Sequence, residues 1–168
     1  MKMRIACLVA AVLMSSAVHA ADSGYVDLGY SPLRFSGGGS SLTPDIALLH
    51  LGYNLTDHFS VEALAATTVK SASDAYGDEL KVNSLFGGYV KARAELNKYF
   101  EVFAKAGVAR TEISVTGGGT AHDNDFSYGV GARYHFARSF YAQLEYDSYY
   151  DKDGLRIAGP SLSVGVRF

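Results

Sequence analysis

The sequence holds a single cysteine, Cys7, and it lies in an N-terminal segment of the kind that is removed after export. Lys2 and Arg4 supply a short positive region and Ile5 to Met14 an apolar run. Val18-His19-Ala20 gives the small-x-small pattern of a signal-peptidase site, so residues 1–20 read as a cleaved signal and the mature chain as residues 21–168. Cys7 comes too early for a lipidated cysteine and leaves with the signal. No disulfide or thiolate chemistry is then open to the mature chain. The N-terminal apolar run is too short for a retained anchor, which needs about 20 residues, and no later run approaches a membrane helix either. Positive charge is also short. Loss of Lys2 and Arg4 takes the 15 bases to 13 against 17 acids, which argues against a nucleic-acid partner.

What remains is rich in 12 tyrosines, 9 phenylalanines and 18 glycines, and its length suits one domain. The dominant period is two. From Phe126 to Phe136 the even positions are apolar or aromatic, while the odd ones are Ser127, Gly129, Gly131, Arg133 and His135. Phe140, Ala142, Leu144 and Tyr146 continue the apolar face, opposite Tyr141, Gln143, Glu145 and Asp147. Alternation over such a length predicts strand. Eight segments follow this rule, at 24–35, 43–55, 59–70, 80–96, 99–111, 125–136, 140–150 and 155–168. Each has roughly 10 residues or more, enough for a tilted strand to cross a hydrocarbon layer, whereas a soluble sandwich uses about 5–6.

The connections alternate in length. Thr56-Asp57-His58, Asn97-Lys98 and Ala137-Arg138-Ser139 read as tight turns. Residues 36–42, 71–79, 112–124 and 151–154 read as longer polar loops, two of them with triple glycines. Short turns on the periplasmic side and longer loops outside are the pattern of transmembrane barrels, and this parity places both termini in the periplasm. The expected fold is all-β, an eight-stranded antiparallel transmembrane barrel with up-and-down topology.

Charge then sorts the faces. Phe59/Val61/Ala63/Ala65, Phe86/Val90/Ala92 and Phe100/Val102/Ala104/Ala106 carry no charge and are expected to meet lipid, because a midplane charge there costs about 2–4 kcal/mol. Glu62, Lys91, Arg93, Glu95, Glu101, Lys105, Arg133, Glu145 and Asp147 would line the lumen. Acids and bases nearly balance, which predicts an ion-pair network with Arg133 at its centre, touching Glu145 and Glu62. Tyr30, Phe35, Tyr53, Tyr99, Phe136, Phe140, Tyr149 and Tyr150 lie near segment ends, where interfacial girdles belong. Pro160 is expected to mark a bulge.

The ending Ser161-Leu-Ser-Val-Gly-Val-Arg-Phe168 resembles the terminal segment read by the barrel-assembly machinery of Gram-negative bacteria. Gly52 to Glu62 and Gly129 to Tyr146 resemble hairpins of the OmpA-like and opacity-type porin family of outer-membrane barrels. The resemblance implies a largely plugged eight-stranded barrel in the outer membrane, concerned with envelope integrity, adhesion or weak solute passage. It implies a monomer without cofactor, and a chain ending at Phe168 would hold the barrel domain alone.

Other readings compete with this one. A surface adhesin would work through the loops, which are short for that family. A lipid A deacylase would need a His-x-Ser pair that His135 and Ser139 do not form, so no catalytic residue is assigned. A periplasmic barrel binding a lipophile would be apolar inside. His122, Asp123 and Asp125 read as a solvated loop in preference to a cation site. Lys70, Lys81, Arg110, Lys152 and Arg156 fall near the outer rim, placed to meet lipopolysaccharide phosphates.

Overall fold

In a computed structural model the chain is described over residues 23–37, 40–73, 79–115, 119–152 and 154–168, so the expected signal falls outside the described residues. The strands are β1 (Gly24–Pro32), β2 (Arg34–Gly37), β3 (Ser40–Leu42), β4 (Asp45–Asn54), β5 (Phe59–Lys70), β6 (Ala72–Ser73), β7 (Glu79–Glu95), β8 (Phe100–Val115), β9 (Gly119–His135), β10 (Phe140–Lys152) and β11 (Leu155–Arg167). Pairing is antiparallel throughout, and β1 joins β11 from Tyr25↔Arg167 to Tyr30↔Leu162, which closes the sheet. β2 and β1, β3 and β4, and β5 and β6 are each one long strand interrupted near its end. The eleven segments thus make the eight-stranded up-and-down barrel expected.

One end of the barrel carries Ser23, Phe168 and three tight turns at residues 55–58, 96–99 and 136–139. Side chains build two of them. Thr56 Oγ1 accepts the amides of His58 and Phe59 at 3.2 and 3.0 Å, and Asn97 Oδ1 accepts those of Tyr99 and Phe100 at 2.9 and 3.1 Å. Phe168 pairs with Gly24 through two backbone hydrogen bonds of 2.8 Å, so Phe168 is part of the ladder.

At the other end the strands run further than the polar composition suggested. Residues 112–124, read as a loop, are strand up to Val115 and again from Gly119, paired as Glu112↔His122 and Ser114↔Thr120. Within 36–42, likewise read as a loop, Ser36 and Gly37 pair with Ser41 and Ser40 in the β2–β3 ladder. Beyond the lipid a strand has water on both faces, so it needs no apolar alternation and its sequence looks like a loop. Gly154, with φ of 79°, makes the last turn, where a side chain would be strained.

The predicted lipid faces are outside. Phe59, Val61, Phe86, Val90, Phe100 and Val102 are all exposed, as are Val108, Leu144, Leu162 and Val164. Their solvent here can only be hydrocarbon, because an apolar band of this extent in water would aggregate. Aromatics rim the turn end, with Phe100 and Tyr134 rings 4.9 Å apart and Phe136 and Phe140 rings 6.3 Å apart. Phe126 and Tyr128 mark the loop end.

Two expected girdle residues point the other way. Phe35 and Tyr149 are buried, 6% and 1% exposed, inside the barrel, and a third, Tyr150, packs half-buried against the same inner cluster. The bulge also sits elsewhere. The register shifts between Ser148 and Tyr150 on β10, not at Pro160. Pro160 is exposed, between the end of the β1–β11 ladder at Tyr30↔Leu162 and the start of the β2–β11 ladder at Ala158↔Arg34. A missing amide is tolerated in that gap.

Candidate functional site

The lumen is the chemically distinctive region, and it is filled in two tiers. The tier nearer the turns is polar and charged. Its hub is Lys105 on β8, whose Nζ lies 3.3 Å from Glu62 Oε1, 3.1 Å from Glu145 Oε1 and 3.2 Å from Asp147 Oδ1. Lys91 is directly across from Lys105 in the ladder, and two such like charges repel. Glu62 relieves this by pairing Lys91 through Oε2 and Lys105 through Oε1. Gly129 lies between Lys105 and Asp147 in register, and a Cβ there would strike the Asp147 carboxylate. The absent side chain is what lets a cation on β8 reach an acid on β10.

The expected centre, Arg133, has a different task. Its Nε and Nη2 donate to Gln143 Oε1 at 3.0 and 2.7 Å, and Nη1 lies 3.6 Å from Glu101. Gln143 in turn donates to Glu145 at 3.1 Å, so Arg133 meets Glu145 only through this amide. The Arg133–Gln143 pairing follows the hairpin register. Its guanidinium sits 4.0 Å from the Tyr141 ring centroid and 4.7 Å from that of Tyr25, and Lys91 lies 4.3 Å over Phe103. Tyr25 and Tyr141 are locked by bonds of 2.8 Å to Glu62 and Asp27. Their rings rest on Gly52 and Gly165, where a Cβ would collide with them. Arg93 pairs with Glu101 at 3.2 Å nearer the turns, while Glu95 is exposed and not in the lumen.

An Asp–His pair escaped the sequence reading. His50 Nδ1 is 2.6 Å from Asp27 Oδ1, its Nε2 is 3.4 Å from Glu145 Oε1, and all three side chains are buried. Alternation in β1 puts Asp27 on the inner face with Tyr25 and Ser31, and that signal was available. Its height against His50 depends on the first hairpin, whose long connection leaves the register open. Neither ring nitrogen of His50 has a serine for a partner, so no nucleophile–base pair is assembled here.

The tier nearer the loops is apolar. Leu33, Phe35, Ile46, Leu48, Leu64, Leu85, Tyr149 and Ile157 pack together across the lumen. The run Ile46–Leu49, apolar on both faces and awkward for a polar-lined barrel, is thereby explained. Leu48 and Ile46 face this inner plug while Leu49 and Leu51 face lipid.

Of the predicted rim cations, Lys70, Arg110 and Arg156 are exposed at the loop end, and the side chains of Lys81 and Lys152 lie outside the described residues. Those of His122 and Asp123 do too. Asp125 instead accepts backbone amides, from Phe126 at 2.9 Å and Asp151 at 3.3 Å. Among the described residues no group of three His, Cys, Asp or Glu could hold a metal.

Comparison with known proteins agrees with this architecture. No curated protein sequence matches the chain. Among solved structures, the attachment invasion locus protein Ail of Yersinia pestis is similar at 17% identity and a TM-score of 0.65, over 88% of this chain and 99% of that one. Neisserial surface protein A shares 15% identity with a TM-score of 0.69, over 86% and 97% of the two chains. The N-terminal barrel of Pseudomonas aeruginosa OprF shares 18% with a TM-score of 0.64, over 88% and 98%. At these identities the likeness establishes the fold alone. A family model described as outer membrane protein beta-barrel domain matches residues 5–168, nearly the whole chain. With its closed sheet, lipid-facing exterior and charged interior, the chain belongs to this family of outer-membrane β-barrel proteins.

Proposed function

We propose that the protein is a closed, non-enzymatic barrel that serves the integrity of the envelope, with both termini in the periplasm. The observation that carries this reading is the double filling of the lumen. An ion entering from the turn end meets the Tyr25–Arg133–Tyr141 stack, and one entering from the loop end meets the Leu33–Ile46–Leu48–Leu85 plug. Desolvating a charge inside an apolar constriction without compensation is prohibitive. The purified protein in a planar bilayer is expected to give no steady conductance above the bare membrane. Stable unitary currents from the unaltered protein would instead support a porin.

The lipid side of this role falls to the loop-end cations. Lys70, Arg110 and Arg156 stand where lipopolysaccharide phosphates would lie in the proposed orientation, and Lys81 and Lys152 belong to the same zone by sequence. Arg34 adds to them. It is exposed and diagonal to Arg156, because Arg34 pairs with Ala158 while Arg156 pairs with Ser36. Changing Lys70, Arg110 and Arg156 together to alanine is expected to weaken lipopolysaccharide co-purification about tenfold. Unchanged retention would remove this contact from the proposal. The terminal Phe168, seated in the ladder beside Gly24, is proposed as the handle for the barrel-assembly machinery, and the barrel as a monomer.

A further inference from the structure

Four strands, β4, β7, β9 and β11, run towards the turn end, and each meets it in the same way. Near its end one residue gives its amide to the residue just before a neighbouring outgoing strand. Asn54 bonds Ser23 O at 2.6 Å, Arg93 bonds His58 O at 2.8 Å, and His135 and Arg167 bond Tyr99 O and Ser139 O at 2.7 Å. The four positions are therefore equivalent and form one ring around the mouth. Alternation turns them inward, in step with Gly52, Lys91, Arg133 and Gly165 two residues earlier, all of which face the lumen. Three of the four are basic: Arg93, His135 and Arg167.

These three share a second property. Arg93 Nε, His135 Nδ1 and Arg167 Nε are buried atoms without a hydrogen-bond partner among the described residues, where buried polar atoms are normally bonded. They stand above one floor. The His135 ring lies 5.9 Å from the Tyr141 ring, which carries the Arg133 guanidinium. Of the charges around His135, that of Arg167 acts on it most strongly, followed by Glu101 and Arg133. Acid is in short supply here. Glu101 is divided between Arg93 at 3.2 Å and Arg133 at 3.6 Å, while Glu95, opposite it in the ladder, is exposed. Arg167 forms no ion pair among the described residues. Three guanidinium groups thus meet two carboxylates, in a cup with aromatic walls that concentrates the positive field.

We infer that the turn-end mouth is a binding site for a small oxyanion of the phosphate class, held by Arg93, His135 and Arg167. The flat N–H fork of arginine matches the oxygens of phosphate, and a compact ion such as chloride cannot use it. Arg93 gives Nη1 to Glu101 and Nη2 to Thr56 O, which leaves Nε for the ligand, whereas Arg167 has its whole head to offer. A free phosphate ion and a phospholipid headgroup both present this chemistry. The site lies outside the Tyr25–Arg133–Tyr141 stack, so the inference goes beyond the closed-lumen reading and does not rest on it.

The test uses the barrel in micelles of an uncharged, phosphate-free detergent at neutral pH, with inorganic phosphate as the probe. The arginine Nε–H signals are followed by NMR. Phosphate is expected to shift those of Arg93 and Arg167 saturably and to leave that of Arg156, at the far end, in place. Potassium chloride of equal ionic strength should move none of them. Arg167→Gln is expected to weaken phosphate binding about tenfold. Arg167→Lys, which keeps the charge and loses the fork, should fall between, and heat-modifiable migration checks that each variant is assembled. Tighter binding of glycerophosphate than of inorganic phosphate would support a lipid headgroup as the source, and the reverse a free ion. An equal response to chloride, a shift that never saturates, an equal shift at Arg156, or unchanged affinity in Arg167→Gln would each overturn the inference.

Discussion

Replacing Lys105 with methionine is expected to destabilise the barrel by about 3–5 kcal/mol, the usual consequence of removing one partner from a buried ion pair. Methionine keeps most of the length and packing, so the change isolates the charge. Glu62 would retain Lys91, but Glu145 and Asp147 would lose the cation that Gly129 lets reach them. Glu145 would be left with Gln143 and His50, and Asp147 with the Tyr149 hydroxyl at 3.1 Å. A neutral hydroxyl does not offset a buried carboxylate. The measurement is urea unfolding in lipid, followed by gel migration of unboiled samples. Arg156→Met supplies the contrast, because its contact with Asp151 is 3.8 Å long and half exposed, and such pairs contribute little. A Lys105→Met barrel within about 1 kcal/mol of the parent would show that the hub is not Lys105. Adding Glu145→Gln to Lys105→Met should restore part of the loss, since a neutral pair at that height no longer needs the cation.

That Lys105 and not Arg133 is the hub marks the limit of what the sequence discloses. Period two and alternating connection lengths were enough for the strand count, the lipid faces and the inward position of Glu62, Lys91, Arg93, Lys105, Arg133 and Glu145. They were enough for Arg133 against Gln143, because a tight turn fixes that register. They could not say which inner residues share a height across non-adjacent strands. Lys105 meets Glu62 across β7 and Glu145 across β9, so each contact depends on two registers and on the small side chain between.

The apolar plug was obscured for a related reason. Each of its members looks like an ordinary lipid-facing residue until its parity is known, and kinks at Leu33 and around residue 44 break the count in the first two strands. Phe35 and Tyr149 were thus assigned to the rim when they fill the interior. Past the lipid, the alternation that identifies a strand is no longer required, so the outer parts of β8 and β9 resembled loop.

Two barriers in series lead to the second large effect, which concerns ions. Tyr25→Ala with Tyr141→Ala removes the two rings that the Arg133 guanidinium contacts and opens the turn half. Leu48→Ala with Leu85→Ala opens the loop half, where the two leucines flank Ala66 in one row of the sheet. Each leucine change costs about 2–5 kcal/mol in a packed interior, so heat-modifiable migration must accompany every variant. Resistances in series are set by the larger one. A pathway hydrated over half its length is still closed by the other half, since the cost of stripping water from an ion is met at the narrowest dry segment. Either double variant alone is therefore expected to stay silent in a planar bilayer, and the four changes together to pass steady current. Current through the tyrosine variant alone would mean that the apolar tier does not seal. Current through the leucine variant alone would mean that the Arg133 stack is already permeable, and the lumen would then hold one gate and not two.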